Sequence, residues 1–138
     1  MRSHAMLGTL LLVGACGGAY YTTQTASPSA APADVIACAR SQLGGLKYQE
    51  TSFDENENRV TARRTDDTIH RADPTYRRNI DRLEITAAPG ADGKTSLSVV
   101  GHSFAEFETH RGPTEQEERA SANVRQAAQS IIDACGRS

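Results

Sequence analysis

The middle of the chain alternates between apolar and polar residues, which is the period of a β-strand with one buried face. We predict strands over residues 46–53, 59–65, 79–87 and 95–108. Polar or Gly-containing runs at 54–58 and 89–93 join them in pairs, which indicates two antiparallel hairpins. Residues 66–78 are polar and give no clear prediction. The chain is therefore constrained to a small antiparallel sheet.

Helical spacing appears on both sides of this region. At 33–43, Val35, Ala39 and Leu43 recur every four residues, and Gly44 follows them. The spacing predicts a short helix there.

The second helix is predicted to begin near Pro113, because Thr114 and Glu117 have the spacing of a capping box. Gly136 ends it. The apolar face of this helix is predicted to carry Ala120, Val124, Ala127, Ala128, Ile131 and Cys135.

The order helix, four strands, helix predicts an α+β fold with both helices on one face of a four-stranded antiparallel sheet. The alternation selects the strand residues that face the helices. They are Tyr48, Val60, Ala62, Leu83, Ile85, Leu97 and Val99.

The N-terminus has the pattern of an export signal. Arg2 precedes a short apolar run at 6–13, and small residues follow the run. A membrane-spanning helix needs about 20 apolar residues, so the pattern favours a secretory signal peptide over an anchor.

Val13-Gly14-Ala15-Cys16 resembles the lipobox of bacterial lipoproteins, in which the Cys is acylated and becomes the first residue of the mature protein. The resemblance implies a signal peptide at 1–15, lipidation of Cys16 and attachment to the cell envelope. Gly17 favours the outer membrane, facing the periplasm, over the inner membrane. The alternative is an ordinary signal peptide with an incidental Cys.

Residues 17–32 are small and polar with two prolines, so 16–32 is predicted to be a lipidated Cys followed by a flexible tether. Residues 33–138 then form a single domain. Removing 1–15 leaves 14 Lys plus Arg (15 minus Arg2) against 17 Asp plus Glu, a formal charge of −3. This balance predicts no nucleic-acid partner.

With Cys16 acylated, Cys38 and Cys135 remain in an exported chain, where disulfides persist. We predict a disulfide between them, linking the two helices. Its closure of nearly a hundred residues contributes about 4–5 kcal/mol in the chain-entropy model.

The other face of the sheet is predicted to be mixed and to lean basic. It is the candidate binding face. Its named residues are Arg59, Arg63, Arg82, Val100, His102 and Phe104.

Gly101-His102-Ser103-Phe104-Ala105 is similar to the nucleophile elbow of serine hydrolases, with Ser103 as the nucleophile. The acid and His that should follow in that order are missing, since only His110 and then Asp133 come after the nearby glutamates. We interpret the motif as strand, with Gly101 at a bulge or a close backbone approach, and predict no enzymatic activity.

No metal or cofactor site is predicted. Asp54, Asn56 and Asn58 begin like a calcium loop, but Arg59 stands where Gly is needed. His70, His102 and His110 are too scattered for a metal centre.

Two functions of a non-catalytic binding protein anchored in the envelope are predicted, and a serine hydrolase that uses Ser103 is a third alternative. In the first, the chain docks a protein partner at the membrane, with Val100 and Phe104 as the apolar part of the interface. In the second, Arg59, Arg63 and Arg82 bind an anionic envelope ligand.

Overall fold

A computed structural model describes residues 19–137, and the predicted signal peptide and Cys16 lie outside that range. The fold is α+β, as predicted. The helices are α1 (Pro32–Gly45) and α2 (Ala122–Cys135). The strands are β1 (Tyr21–Ala26), β2 (Gln49–Asp54), β3 (Arg59–Asp66), β4 (Tyr76–Pro89), β5 (Thr95–Thr109) and β6 (Gly112–Glu118).

The sheet is antiparallel and has six strands, where four were predicted. Its order is β1-β5-β4-β3-β2, and β6 also pairs with β5. Along one edge of β5, β1 pairs with residues 97–102 and β6 pairs with residues 103–109. The two short strands thus lie end to end beside one long strand. A 15-residue strand provides two pairing sites on the same edge.

The prediction of a flexible tether is wrong for residues 21–26, which form β1. Its sequence, YTTQTA, is rich in Tyr and Thr, residues that suit a pleated strand. The Pro- and Ser-containing sequence that follows conceals this signal. Pairing with β5 supplies the backbone hydrogen bonds that the segment would otherwise make with water.

The predicted start of the second helix is also wrong, because residues 112–118 form β6. The helix begins after Ser121, whose Oγ accepts a hydrogen bond from the Val124 N–H at 3.0 Å. Tertiary pairing overrides the local capping-box signal, since the free edge of β5 needs partners for its backbone. The later part of the helix, from 122 to Gly136, is as predicted.

Both helices cover the same face of the sheet, and all seven strand residues predicted to face them are buried in one apolar core. Val60, Leu97 and Val99 are fully inaccessible to solvent. Val35, Ala39 and Leu43 of α1 lie in the same core. The alternation in the sequence therefore assigns the faces of β3, β4 and β5 correctly.

The predicted disulfide between Cys38 and Cys135 is present. It joins α1 to the last residue of α2 across a sequence separation of 97. Because these helices lie next to the opposite ends of the described chain, the bond restricts the unfolded state strongly.

Gly101 lies where β1, β5 and α2 come closest together. A Cβ atom at this position would lie 2.7 Å from Cγ2 of Val124 and 2.9 Å from Cγ2 of Thr22. The register through Gly101 is regular, so the residue marks a close approach and no bulge. The Gly of the elbow-like motif thus has a packing role.

Replacing Gly101 with Ala is expected to lower the free energy of unfolding by about 1–3 kcal/mol, because the methyl group overpacks the contact with Val124. Denaturant unfolding measures the change. Gly44→Ala is the control, since the space around Gly44 in α1 is open, and it should gain about 0.5–1 kcal/mol. Equal effects of the two substitutions would contradict the assignment of Gly101.

Candidate functional site

The face of the sheet opposite the helices carries a hollow of about 590 Å³. Side chains of β3, β4, β5 and β6 line most of it, with Thr51 at its border on β2. The ionisable and aromatic residues that line this hollow are Arg63, Arg82, Glu84, His102, Phe104 and Glu117. We call it the sheet hollow.

One straight row of cross-strand neighbours runs through the sheet hollow. Arg63 on β3 pairs with Arg82 on β4, and Arg82 pairs with His102 on β5. Tyr21 on β1 continues the row beyond His102. The His102 ring stacks on that of Tyr21, with centroids 5.7 Å apart. Two guanidinium groups therefore stand directly opposite each other, an arrangement that destabilises a sheet unless a counter-charge lies near.

Counter-charges for part of this row come from β6. Glu115 forms an ion pair with Arg82, and Glu117 Oε1 lies 2.6 Å from His102 Nδ1. An ionised carboxylate only accepts hydrogen bonds, so Nδ1 carries the proton in this contact. The Arg82 guanidinium also lies 4.6 Å from the centre of the Phe104 ring. Arg82 and His102 are thus held by several contacts each.

Arg63 and Glu84 differ from the other charged residues of the sheet hollow. Among residues 19–137, neither side chain forms an ion pair or a side-chain hydrogen bond. Glu84 is exposed and Arg63 is half-buried. The hollow therefore presents one guanidinium and one carboxylate that are free to bind a ligand.

The six residues of the predicted binding face divide into two groups. Arg63, Arg82, His102 and Phe104 meet in the sheet hollow. Arg59 is the first residue of β3 and forms an ion pair with Glu57. Val100 is half-buried and does not line the sheet hollow.

Sequence reasoning missed the two carboxylates that change the charge of this face, Glu115 and Glu117. The capping-box spacing predicts that they lie at the start of a helix, whose positive end suits acidic residues. Apart from Pro113, residues 113–118 are all polar, so they lack the alternation of apolar and polar residues that would indicate a strand. The face is accordingly balanced in charge and not basic.

Ser103 faces away from the sheet hollow, into the helix side of the sheet. Its Oγ donates to Asp81 Oδ1 at 2.6 Å and accepts from the Ser121 N–H at 2.9 Å. The Ser121 hydroxyl donates to the same carboxylate, at 2.9 and 3.0 Å from its two oxygens. Since Ser121 also caps α2, this buried network attaches the helix to the centre of the sheet.

The geometry at Ser103 is that of regular strand. It lies within β5, pairs with Asp81 and Glu118, and has His102 on the opposite face. A nucleophile elbow requires a sharp turn and a His that reaches the Ser. Both are missing at this position in residues 19–137.

Tyr48 lies in the core near the same network. Burial raises the pKa of its hydroxyl, and the charge of Asp81 raises it further, while Arg64 lowers it. The phenol is therefore neutral throughout the physiological range.

Within residues 19–137, no cluster of three or more His, Cys, Asp and Glu is arranged to hold a metal ion. In the same range, neither helix has the length and apolar composition needed to cross a membrane. In comparisons with known proteins, no family model matches the chain, and no curated protein matches it.

Removing the Ser103 hydroxyl is expected to cost about 1–3 kcal/mol of stability, because the partly buried Ser121 N–H loses its acceptor. Denaturant unfolding of Ser103→Ala measures this. The matched control is Ser98→Ala on the opposite face of β5, which should change stability by about 0.5 kcal/mol or less. An unaltered stability of Ser103→Ala would contradict the structural role.

Proposed function

We propose that the chain is an exported, lipid-anchored envelope protein that binds the anionic group of a ligand in the sheet hollow, without catalysis. The observation that carries the proposal is the free guanidinium of Arg63, which stands directly opposite Arg82. Arg presents a planar fork of N–H donors that matches phosphate and carboxylate oxygens.

The like charges of Arg63 and Arg82 support an anionic ligand. Cross-strand neighbours lie about 4.5–5.5 Å apart at their Cβ atoms, so the two cations repel each other. Glu115 offsets the charge of Arg82, while Arg63 has no such partner within the described residues. An anion bound at Arg63 would place a counter-charge in direct contact with its guanidinium, and binding would stabilise the fold.

Docking of a protein through Val100 and Phe104 receives less support from the geometry. Phe104 stacks on His102, with centroids 6.3 Å apart, and has the Arg82 guanidinium on its ring. Val100 is half-buried. The apolar surface expected for a docking interface is thus already in contact with neighbouring side chains.

The proposed lipid anchor rests on the lipobox resemblance. Because β1 begins at Tyr21, only four residues separate it from Cys16. Five residue steps span at most about 17 Å, and the Tyr21 side chain touches His102 of the sheet hollow. An acylated Cys16 would therefore keep the hollow near the membrane surface.

Arg63→Gln is expected to weaken the binding of inorganic phosphate about tenfold or more, since a charge-assisted hydrogen bond contributes about 1.5–3 kcal/mol. Isothermal titration calorimetry at low ionic strength measures the affinity. Arg59→Gln is the matched control, because it removes the same charge from the same strand and face outside the hollow. Its affinity should equal that of the wild type. An equal loss of phosphate affinity in both variants would show non-specific attraction and would overturn the proposal.

Cys16→Ser is expected to move the protein from the membrane fraction of the producing cell to the soluble fraction, because acyl chains provide the membrane attachment. Fractionation followed by immunoblotting measures the distribution. Cys38→Ser, which leaves the lipobox intact, should remain with the membrane. A Cys16→Ser protein that stays in the membrane fraction would contradict acylation at this residue.

A further inference from the structure

The charges of the sheet hollow that lack partners are of opposite sign, which bears on the kind of ligand. Arg82 forms an ion pair with Glu115, and Glu117 forms a hydrogen bond with His102. Within the described residues, this leaves Arg63 and Glu84 unpaired. A site with one unpaired cation and one unpaired anion is complementary to a ligand that itself carries both an anionic and a cationic group.

We propose that the ligand is a zwitterion in which a phosphate lies a few bonds from a primary ammonium, the chemistry of phosphoethanolamine. This inference rests on the proposed function, and adds the cationic end of the ligand. The phosphate accepts hydrogen bonds from Arg63. The ammonium donates to the carboxylate of Glu84.

The register of β3 and β4 places the two groups at a suitable separation. Arg63 is opposite Arg82, and Glu84 is two residues further along β4, on the same face. Arg63 and Glu84 are therefore diagonal neighbours, whose Cβ atoms lie about 7–8 Å apart or less. A ligand with two charged groups a few bonds apart is long enough to contact both side chains at once.

A simple anion fits the hollow less well. With its phosphate at Arg63 it would lie near the carboxylate of Glu84, and the two negative charges would repel each other. An ammonium group between them replaces this repulsion by attraction. Binding of the zwitterion should consequently be tighter than that of phosphate, although the ligand carries less net charge.

Such a ligand could be supplied as a free metabolite or as the headgroup of a phospholipid. The short connection from Cys16 to β1 brings the hollow near a bilayer, where phospholipid headgroups are concentrated. Tyr21, which stacks on His102, is 56% exposed, and the preceding Tyr20 is 59% exposed. Tyrosines are enriched at membrane–water interfaces.

Calorimetry with three probes tests the proposal: inorganic phosphate, ethanolamine and phosphoethanolamine. The titrations are made at about pH 8, where both phosphates are mostly dianionic. We expect phosphoethanolamine to bind the wild-type protein about three- to tenfold more tightly than phosphate. Glu84→Gln should abolish this preference without weakening phosphate binding. Glu55→Gln, at the exposed β2–β3 turn, should retain the preference.

The outcomes separate this inference from the proposed function. Phosphate binding that depends on Arg63, with no gain from the ammonium group, would overturn the zwitterion and leave the anion site standing. A preference that survives in Glu84→Gln would overturn it as well. If neither phosphate nor phosphoethanolamine binds, the proposed anion-binding function and this inference are both overturned.

Vesicle flotation of the Cys16→Ser protein identifies the source of the ligand, because acyl chains on Cys16 would attach the protein to vesicles of either composition. Vesicles of phosphatidylethanolamine and phosphatidylcholine are compared with vesicles of phosphatidylcholine alone, whose ammonium has no N–H to donate. Recruitment by phosphatidylethanolamine that is lost in Glu84→Gln supports a lipid headgroup. Calorimetric binding of phosphoethanolamine without such recruitment supports the free compound. Failure in both assays overturns the proposal.

Discussion

The pairing of β5 with three other strands is the constraint on which the rest of the structure depends. One edge of β5 pairs with β4, and the other edge is shared by β1 and β6. Odd-numbered residues of β5 from Thr95 to Ala105 are buried on one face of the sheet, while His102 and Phe104 face the sheet hollow on the other. The same strand thus builds the core with one set of side chains and the candidate site with the other. A one-residue slip of its register would exchange the two sets.

The buried network of Asp81, Ser103 and Ser121 connects the sheet to the helix layer. It joins the two central strands to the residue that caps α2, and the disulfide fixes the other end of that helix to α1. The helix layer is therefore attached to the sheet at one end and to its neighbour at the other. On the opposite face, Arg63, Arg82, Glu84, His102 and Phe104 remain at least partly accessible to solvent.

Much of the core could be predicted from alternation, because β3, β4 and β5 each have one apolar and one polar face. The short strands β1 and β6 could not be predicted in this way. β1 sits in a stretch whose composition resembles a linker, and β6 is rich in Glu with a capping-box spacing. Both become strands because a long neighbour offers them backbone partners, a cause that lies outside their own sequences. The prediction of a basic face failed for the same reason, since Glu115 and Glu117 reach it only through β6.

We propose that Glu115 on β6 neutralises Arg82 and leaves Arg63 as the guanidinium that binds a ligand. Side-chain Nε–H signals of the arginines in a ¹⁵N NMR titration with phosphate test it most directly, because each residue reports on its own contacts. We expect the Arg63 signal to shift most, the Arg82 signal to shift less, and the signal of Arg77, which lies outside the hollow, to change very little. No shift at Arg63, or equal shifts of all three signals, would contradict it.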